Sequence, residues 1–576
     1  MRPLSRHAAG VLVTLVAFSV ACGSPAPATG SGQEARREAA APTAPKRVLS
    51  SVTADLPTLR SQLNRAAGGI LAGAPEIEQL VQSGLAIADN NAVLQPLLAE
   101  VVPSVENGLW RVFPDGRMET TWRIRDGALW QDGAPFTADD LVFTSRVFQD
   151  TDLPLLHVAA FDTVEKVEAR DARTFSITWQ KPYINADRVF AATGDVQPLP
   201  LPEHILAQPY QENKAGLSDL PYWSDEFVGT GPFKPGAWVR GSSITLEAFD
   251  RFTLGRPKID AIEIKFIPDP TTLIANILSG AVEQPIGRGI SFEPGLQLRD
   301  QWRDGHIEFS PGSDIKVWPQ LLNPTPAVVA DVRFRRAVYH AIDRQELADT
   351  LMAGQVEVAH TTIGSTDPEY PYVIDSVVKY PYDPRQTAQL VEALTYARGA
   401  DGMFRDASGQ PLVVELRSSP MDILRKTKLA IADYWQSAGI GVNVVDDSPQ
   451  VRGNNEYRAT FPAFDMSRAG SGAEQLETFI SSQARTPQNR YVGQNGPNYM
   501  NPDFDALVET YLTTIPIADR MRAVAAVVHH MTDQVIVLDQ FYDAAPTAVA
   551  NRMVNVASKV ARRGTNTWNA YEWDVK

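Results

Sequence analysis

Residues 120–148 read TTWRIRDGALWQDGAPFTADDLVFTSRVF, and this stretch does most to define the fold. The pairs Asp126-Gly127 and Asp132-Gly133 predict turns, because glycine after aspartate permits left-handed backbone angles. Thr137 is placed to cap a helix. The apolar residues that follow at helical spacing are Ala138, Leu141, Val142 and Phe148. The stretch therefore predicts a strand, two turns and a buried helix, which is an architectural unit rather than a binding site.

A second segment predicts a strand–helix–strand unit. Asp383 and Pro384 indicate the start of a helix that runs to about Gly399. A strand, a helix ending at Ala438 and a second strand follow. Apolar residues alternate along the two strands: Leu412, Val414, Leu416, Ile440, Val442 and Val444. Strands connected in this way normally pair in parallel.

Near the C-terminus, Asp503 predicts the N-cap of an amphipathic helix that packs against a second helix. The apolar faces consist of Phe504, Leu507, Val508, Tyr511 and Leu512, and of Val524, Val527, Val528 and Met531. Strands and helices interleave along the chain, so the fold class is α/β. A chain of 576 residues is too long for one ordinary core, so two or three domains are expected.

The N-terminus predicts export. Arg2 and Arg6 precede an apolar run from Ala8 to Val20, which is typical of a signal peptide over residues 1–21. The run is too short to span a bilayer. Cys22 is the only cysteine, so it cannot form a disulfide within the chain. The remainder of residues 22–46 is rich in Pro, Ala, Gly and Ser and predicts a flexible tether.

Composition and motifs disfavour several functions. The net charge of −15 argues against a nucleic-acid partner. The sequence contains no metalloprotease, P-loop or nucleophile-elbow motif. His529 and His530 are adjacent on a predicted helix and point about 100° apart, which suits one metal poorly. No catalytic residue, cofactor or metal ligand is therefore predicted, and an enzyme is the less favoured alternative.

Several short motifs of this sequence, taken in order, resemble those of a known protein family. Residues 120–148 resemble the signature of family 5 extracellular solute-binding proteins, the oligopeptide- and nickel-binding group that serves ABC importers. Motifs similar to those of this family recur in order at residues 96–100 (PLLAE), 201–206 (LPEHIL), 228–233 (VGTGPF), 252–260 (FTLGRPKID), 331–337 (DVRFRRA) and 341–344 (AIDR). Residues 568–573 (WNAYEW) are similar to the family's closing strand.

A further resemblance concerns the leader. Ser19-Val20-Ala21-Cys22 resembles the lipobox of bacterial lipoproteins, although Ser19 stands where Leu is usual. It implies diacylation of Cys22 and a lipid anchor that holds an extracytoplasmic protein on the membrane.

The family resemblance implies a two-lobed periplasmic-binding-protein type II-like fold with an extra N-terminal subdomain. We expect lobe I over residues 47–75, 210–305 and 540–576, the extra subdomain over 76–209, and lobe II over 306–539. The implied partners are a small-molecule or peptide ligand and ABC permease subunits. The protein is expected to be a monomer.

The ligand-specific segment departs from the family pattern. Residues 464–470 (FDMSRAG) match a segment in which Arg468 could take a ligand carboxylate, or could form a structural ion pair. Ser471 replaces the family's Trp. Glu474 occupies the place of an acid that takes an ammonium group, and could equally be a solvated loop residue. The aromatic candidates Trp318, Tyr491 and Tyr499 could line the ligand site or belong to the core or surface.

The sequence thus predicts a substrate-binding lipoprotein that captures a small solute between two lobes for import. Because Ser471 replaces the Trp, a peptide is only one of several possible ligands. The alternative is an accessory envelope lipoprotein that kept the fold without transport.

Overall fold

The computed structural model describes residues 44–66, 69–153, 156, 158–194, 197–287, 289–557, 559–560 and 564–576. The predicted signal peptide, Cys22 and most of the tether lie outside these residues. No helix within them is long and apolar enough to cross a bilayer.

The strands β1 to β23 span, in order, Arg47–Val52, Arg65–Ala66, Gly69–Ile70, Ala86–Ala88, Leu94–Pro96, Trp110–Val112, Met118–Arg123, Val164–Ala169, Thr174–Trp179, Ala191–Ala192, Phe233–Val239, Ser243–Ala248, Ala261–Phe266, Gln284–Pro285, Gly305–Pro319, Ala397–Arg398, Phe404–Arg405, Val413–Ser418, Gly441–Asp446, Phe464–Ala469, Leu538–Ala550, Met553–Val554 and Asp574–Val575.

The helices α1 to α14 span, in order, Ala74–Val81, Ala138–Gln149, Glu203–Glu212, Pro270–Leu278, Phe292–Gln301, Val332–His340, Arg344–Leu351, Tyr370–Val373, Pro384–Glu392, Asp422–Ser437, Pro449–Arg452, Asn455–Ala459, Pro502–Thr513 and Ile517–Asp533.

Three larger sheets organise the chain. The first has the order β11-β12-β13-β1-β14, with β1 parallel to both β13 and β14. The second is the antiparallel sheet β6-β7-β9-β8. The third has the order β19-β18-β20-β15-β21, in which β18 runs parallel to β19 and β20. The predicted strand–helix–strand unit is confirmed as β18, α10 and β19.

The stretch 120–148 folds as predicted. Helix α2 begins at Ala138 with Thr137 as its N-cap, and the N–H of Thr137 donates to Asp140 Oδ2 at 2.9 Å. The fully buried Trp130 donates to the same oxygen at 3.1 Å. The carboxylate of Asp140 therefore fixes both the indole and the start of the helix.

The motif at 228–233 has a packing role. A Cβ atom on Gly229 would lie 2.0 Å from the carbonyl oxygen of Val81, and one on Gly231 would lie 2.3 Å from the carbonyl carbon of Val81. The Gln131 amide donates to the carbonyl oxygen of Phe233 at 2.7 Å and accepts from the N–H of Gly229 at 3.1 Å. The glycines therefore permit the close approach of this turn to the end of α1.

Three local predictions were wrong. Asn501, not Asp503, caps α13, because Pro502 occupies the first helical position and the Asn501 side chain accepts from two backbone N–H groups. Helix α9 ends at Glu392, short of Gly399, and Thr395 then adopts a positive φ of 68°. Residues Ala570–Glu572 form a helical turn, and the last strand is Asp574–Val575.

Candidate ligand-binding cleft

The long strands β15 and β21 join two separate cores. They pair antiparallel from Gly305↔Ala550 to Val317↔Leu538, with register shifts between Pro311 and Asp314 and between Ile315 and Lys316. At one end, Ile307 and Ala548 belong to the buried cluster that includes the first and second sheets. At the other end, the apolar residues of both strands belong to the cluster of the third sheet: Ile315, Val317, Leu538 and Phe541. The β15/β21 ribbon is thus the link between two packed bodies.

Arg468 lies beside this ribbon and is paired with it. It is on β20, opposite Ile315 of β15. Its guanidinium forms an ion pair with Asp543 of β21 at 2.5 Å, and both side chains are largely buried. The structure therefore gives Arg468 a partner within the chain.

Lys316 fixes the position of the segment that follows Arg468 along the chain. Its fully buried ammonium donates to Thr362 Oγ1 at 2.5 Å and to the carbonyl oxygen of Gly470 at 2.9 Å. The adjacent Ser471 is buried, and the N–H of Gly472 donates to the carbonyl oxygen of Thr362 at 2.8 Å. These bonds fix the backbone immediately before Glu474.

Glu474 lines a cavity of about 270 Å³, called here the acidic cavity. Its other charged and amide lining residues are Glu106, Asn185, Asp187, Arg188, Glu369 and Arg520. Lining residues 103–188 belong to the predicted subdomain, and lining residues 369–520 belong to the predicted lobe II. A ligand in the acidic cavity would contact both parts.

A second cavity of about 220 Å³ lies between the same two parts. Lys181 and Tyr183 line it from one side, and Glu477 and Glu509 from the other. Burial, with a smaller contribution from the charge of Glu474, raises the pKa of Glu477 to about 7. The carboxyl of Glu477 therefore changes charge near neutral pH.

Contacts between the two parts surround this second cavity. The Lys181 ammonium donates to Glu509 Oε1 at 2.6 Å. The N–H of Ile184 donates to the carbonyl oxygen of Leu512 at 2.9 Å, and the Ile184 side chain joins the apolar cluster of α13 and α14. The two parts are therefore in direct contact.

The three aromatic candidates do not line either cavity. Trp318 donates from Nε1 to Ser467 Oγ and packs against Phe479, with ring centroids 5.8 Å apart. Tyr499 is hydrogen-bonded to His530 Nε2 at 2.9 Å. Tyr491 donates to Glu456 Oε1 at 3.1 Å. Of the six predicted ligand residues, Glu474 is the one that lines either of these two cavities, and a ligand role for all six stays a prediction.

Sequence reasoning did not find Asp187, Glu369 or Glu477. They lie in segments without a family motif, and only the fold brings Asp187 and Glu369 to one cavity. Within the described ranges, no group of three or more His, Cys, Asp and Glu side chains is arranged to hold a metal ion.

A family described as "Bacterial extracellular solute-binding proteins, family 5 Middle" matches residues 96–488. The chain belongs to family 5 of the bacterial extracellular solute-binding proteins. This family 5 protein is 25% identical over 440 residues to the oligopeptide-binding protein AppA of Bacillus subtilis, covering 75% of each chain. Membership in an extracellular family fits an extracytoplasmic location.

Solved structures of similar fold support the architecture. An oligopeptide-binding protein from Thermus thermophilus, complexed with a pentapeptide, matches with a TM-score of 0.74 at 22% identity, covering 92% of this chain and 96% of that one. NikZ from Campylobacter jejuni, in complex with Ni(L-His), matches with a TM-score of 0.74 at 20% identity, covering 92% and 100%. The predicted type II periplasmic-binding-protein fold is confirmed for this family 5 protein.

Proposed function

We propose that this protein is the substrate-binding lipoprotein of an ABC importer and captures a small solute in the cleft between its two lobes. The observation that carries the proposal is that both cavities lie between predicted lobe II and the predicted subdomain, which shares one buried cluster with the first sheet of lobe I. A ligand held there gains contacts in a closed form that an open form lacks, so it favours closure.

The ion pair between the predicted subdomain and predicted lobe II is weak enough for a ligand to control closure. The Lys181–Glu509 pair is half exposed, and pairs of this kind contribute about 0.2–1 kcal/mol. A ligand at 100 times its dissociation constant adds about 2.7 kcal/mol to the stability of the form that binds it. Ligand binding would therefore outweigh this ion pair in setting the balance between open and closed forms.

The ligand class remains broader than peptides in this proposal. The relatives of similar fold include one complexed with a pentapeptide and one with Ni(L-His). Arg468, which the sequence offers for a ligand carboxylate, is paired with Asp543. This pairing supports a ligand that does not depend on Arg468.

A thermal-shift screen of the full-length protein in mild detergent tests the binding function. Peptides, oligosaccharides, opines and nickel chelates are the ligands to include, and native mass spectrometry checks for a passenger already bound. A ligand-dependent rise in the unfolding temperature supports the proposal. No rise with any class, in protein shown to be free of passenger, contradicts it and favours the accessory role.

We propose in addition that Cys22 is lipidated and anchors the protein to the membrane. The support is the lipobox-like sequence ending at Cys22 and the polar, Pro- and Ala-rich segment after it. Two acyl chains are sufficient for stable anchoring. Cys22→Ala should release the protein from the membrane fraction, and globomycin should cause the unprocessed form to accumulate. Unchanged membrane retention of Cys22→Ala, together with no accumulation of the unprocessed form in globomycin, would contradict lipidation.

A further inference from the structure

A short segment of the predicted subdomain seats on helix α13 of predicted lobe II. The Lys181 ammonium donates to both carboxylate oxygens of Glu509, at 2.6 and 2.9 Å. Farther along the same segment, the N–H of Ile184 donates to the carbonyl oxygen of Leu512 at 2.9 Å. Lys181 and Ile184 have the same sequence spacing as Glu509 and Leu512, so the two attachments are in register along α13. Residues 181–184 are called here the latch.

Ile184 is the apolar anchor of the latch. Its side chain is 8% exposed and belongs to the buried cluster built mainly from α13 and α14. Within the part of the chain that the structure describes, it is the one member of that cluster from residues 76–209. Burial of an aliphatic side chain is favourable because it removes apolar surface from water. Separation of the two parts would expose Ile184 again, so this side chain favours the seated latch.

The seated latch covers one side of the second cavity, opposite Glu477. Lys181, Pro182 and Tyr183 line the cavity from the subdomain, and Glu477 lines it from lobe II. Tyr183 is buried. Burial, and to a smaller extent the charge of Glu477, raises the pKa of the Tyr183 phenol. The latch and the Glu477 carboxyl are thus close enough for the charge of one to affect the other.

The Glu477 carboxyl has no compensating group in the seated form. None of the described residues forms a hydrogen bond or an ion pair with it. The titratable groups around it are Glu474 on the same helical turn, Glu509 on α13, and Lys181 and Tyr183 on the latch. The cation among these groups, Lys181, is bonded to Glu509. A charge on Glu477 is therefore unfavourable while the latch is seated.

The seated and separated forms should differ in how tightly Glu477 holds its proton. In the seated form, burial and the charge of Glu474 raise the pKa of Glu477 from 4.5 to about 7. When the latch separates, water reaches the carboxyl and its pKa returns towards 4.5. Between these two values, seating takes up a proton. The seated form is therefore most favoured below pH 4.5 and loses this advantage as the pH rises to about 7.

We propose that residues 181–184 form a proton-controlled latch, which seats on α13 when Glu477 is protonated and separates when Glu477 is charged. This proposal rests on the proposed function, because closure around a solute is the event that the latch regulates. A smaller fraction of protein in the closed form lowers the apparent affinity for the solute. Solute binding is therefore tighter in an acidic medium than in an alkaline one.

Distance measurements by double electron–electron resonance on the full-length protein in mild detergent test the latch. Spin labels on ketone-bearing amino acids leave Cys22 untouched, and the exposed positions Asp115 of the subdomain and Glu392 of lobe II carry them. Native mass spectrometry first shows that the protein holds no passenger. From pH 5 to pH 8 without solute, the ratio of closed to open distances should fall at least about tenfold, because one unit of pKa difference corresponds to a factor of ten.

Two variants, each with a control, separate the parts of the latch. Glu477→Gln should keep the same closed population at both pH values, because the amide gains no charge. Its control, Asp375→Asn, removes an exposed carboxylate that lines neither cavity and should keep the wild-type pH dependence. Ile184→Ala should lower the closed-to-open ratio at pH 5 at least about tenfold. Val112→Ala shortens an exposed apolar side chain of the subdomain and should not change the ratio.

Three results would overturn the latch. They are equal closed populations of the wild-type protein at pH 5 and pH 8, a retained pH dependence in Glu477→Gln, and an unchanged ratio in Ile184→Ala. The wild-type and Ile184→Ala measurements do not depend on the folding of Glu477→Gln.

Failure of the latch is distinguishable from failure of the proposed function. A solute that binds with equal affinity at pH 5 and pH 8 overturns the latch, while the binding function stands. A pH-dependent distance that Glu477→Gln abolishes, in protein that binds no solute of the screen, supports the latch and contradicts the binding function.

Discussion

The guanidinium of Arg468 forms an ion pair with the carboxylate of Asp543 at 2.5 Å and ties β20 to β21. Removing one member of a buried pair leaves the other charge poorly compensated and costs about 3–5 kcal/mol. We expect Arg468→Met to lower the free energy of unfolding by about 3 kcal/mol, measured by urea denaturation. The double variant Arg468→Met/Asp543→Asn should recover part of the loss. Unchanged stability with abolished ligand binding would instead place Arg468 at the ligand.

Glu477 should make stability depend on pH. Its pKa is raised from 4.5 to about 7 in the folded protein, so between these values the folded state holds a proton that the unfolded state has lost. Stability from this group is therefore present below pH 4.5 and decreases as the pH rises to about 7, by about 3 kcal/mol in total. Measured by thermal unfolding from pH 4.5 to 8, Glu477→Gln should show a smaller decrease than the wild-type protein. Parallel profiles of the two proteins would be inconsistent with a raised pKa.

Gly229 should not tolerate a side chain. A Cβ atom there would lie 2.0 Å from the carbonyl oxygen of Val81, so the turn would have to separate from α1. We expect Gly229→Ala to lower the free energy of unfolding by at least about 3 kcal/mol, at the upper end of overpacking costs. Gly236→Ala is the control, because its nearest contact would be 3.1 Å away. Similar losses in the two variants would show that the close approach to α1 is not the cause.

The ion pair between Lys181 and Glu509 should contribute little to global stability. Both side chains are about half exposed, so we expect Lys181→Ala to lower the free energy of unfolding by less than about 1 kcal/mol. Because salt screens exposed charges, 1 M NaCl should remove most of the difference in chemical denaturation by urea. A loss several times larger would mean that this contact holds the two parts together.

The sequence predicted local architecture better than the site. Thr137 and Ala438 mark helix ends that depend only on neighbouring residues, and both lie where the sequence pattern indicates. Asn501 and Asp503 are both good caps, and the choice depended on Pro502, whose fixed backbone angle suits the first helical position. Reasoning from neighbouring residues therefore located a helix end where one residue was the clear cap, and it failed where two residues were both suitable caps.

The cavity residues could not be predicted, because their meeting depends on tertiary structure. Asp187 and Glu369 are 182 positions apart in the printed sequence, and neither belongs to a recognisable motif. Glu474 was found because the adjacent FDMSRAG segment resembles a family pattern. The same resemblance could not show that the neighbouring Arg468 is paired with Asp543.

The ribbon of β15 and β21 has a mechanical consequence. Because β15 and β21 are paired from Gly305 to Val317, the two bodies at the ends of the ribbon cannot move independently of each other. We expect rotation to occur as torsion of the ribbon, concentrated at its register shifts between Pro311 and Asp314 and between Ile315 and Lys316. Spin labels on β1 and β19 would measure that rotation directly. The outer surfaces of the molecule would then change their mutual orientation when the cleft is occupied, which gives a membrane partner a signal of occupancy without contact with the solute.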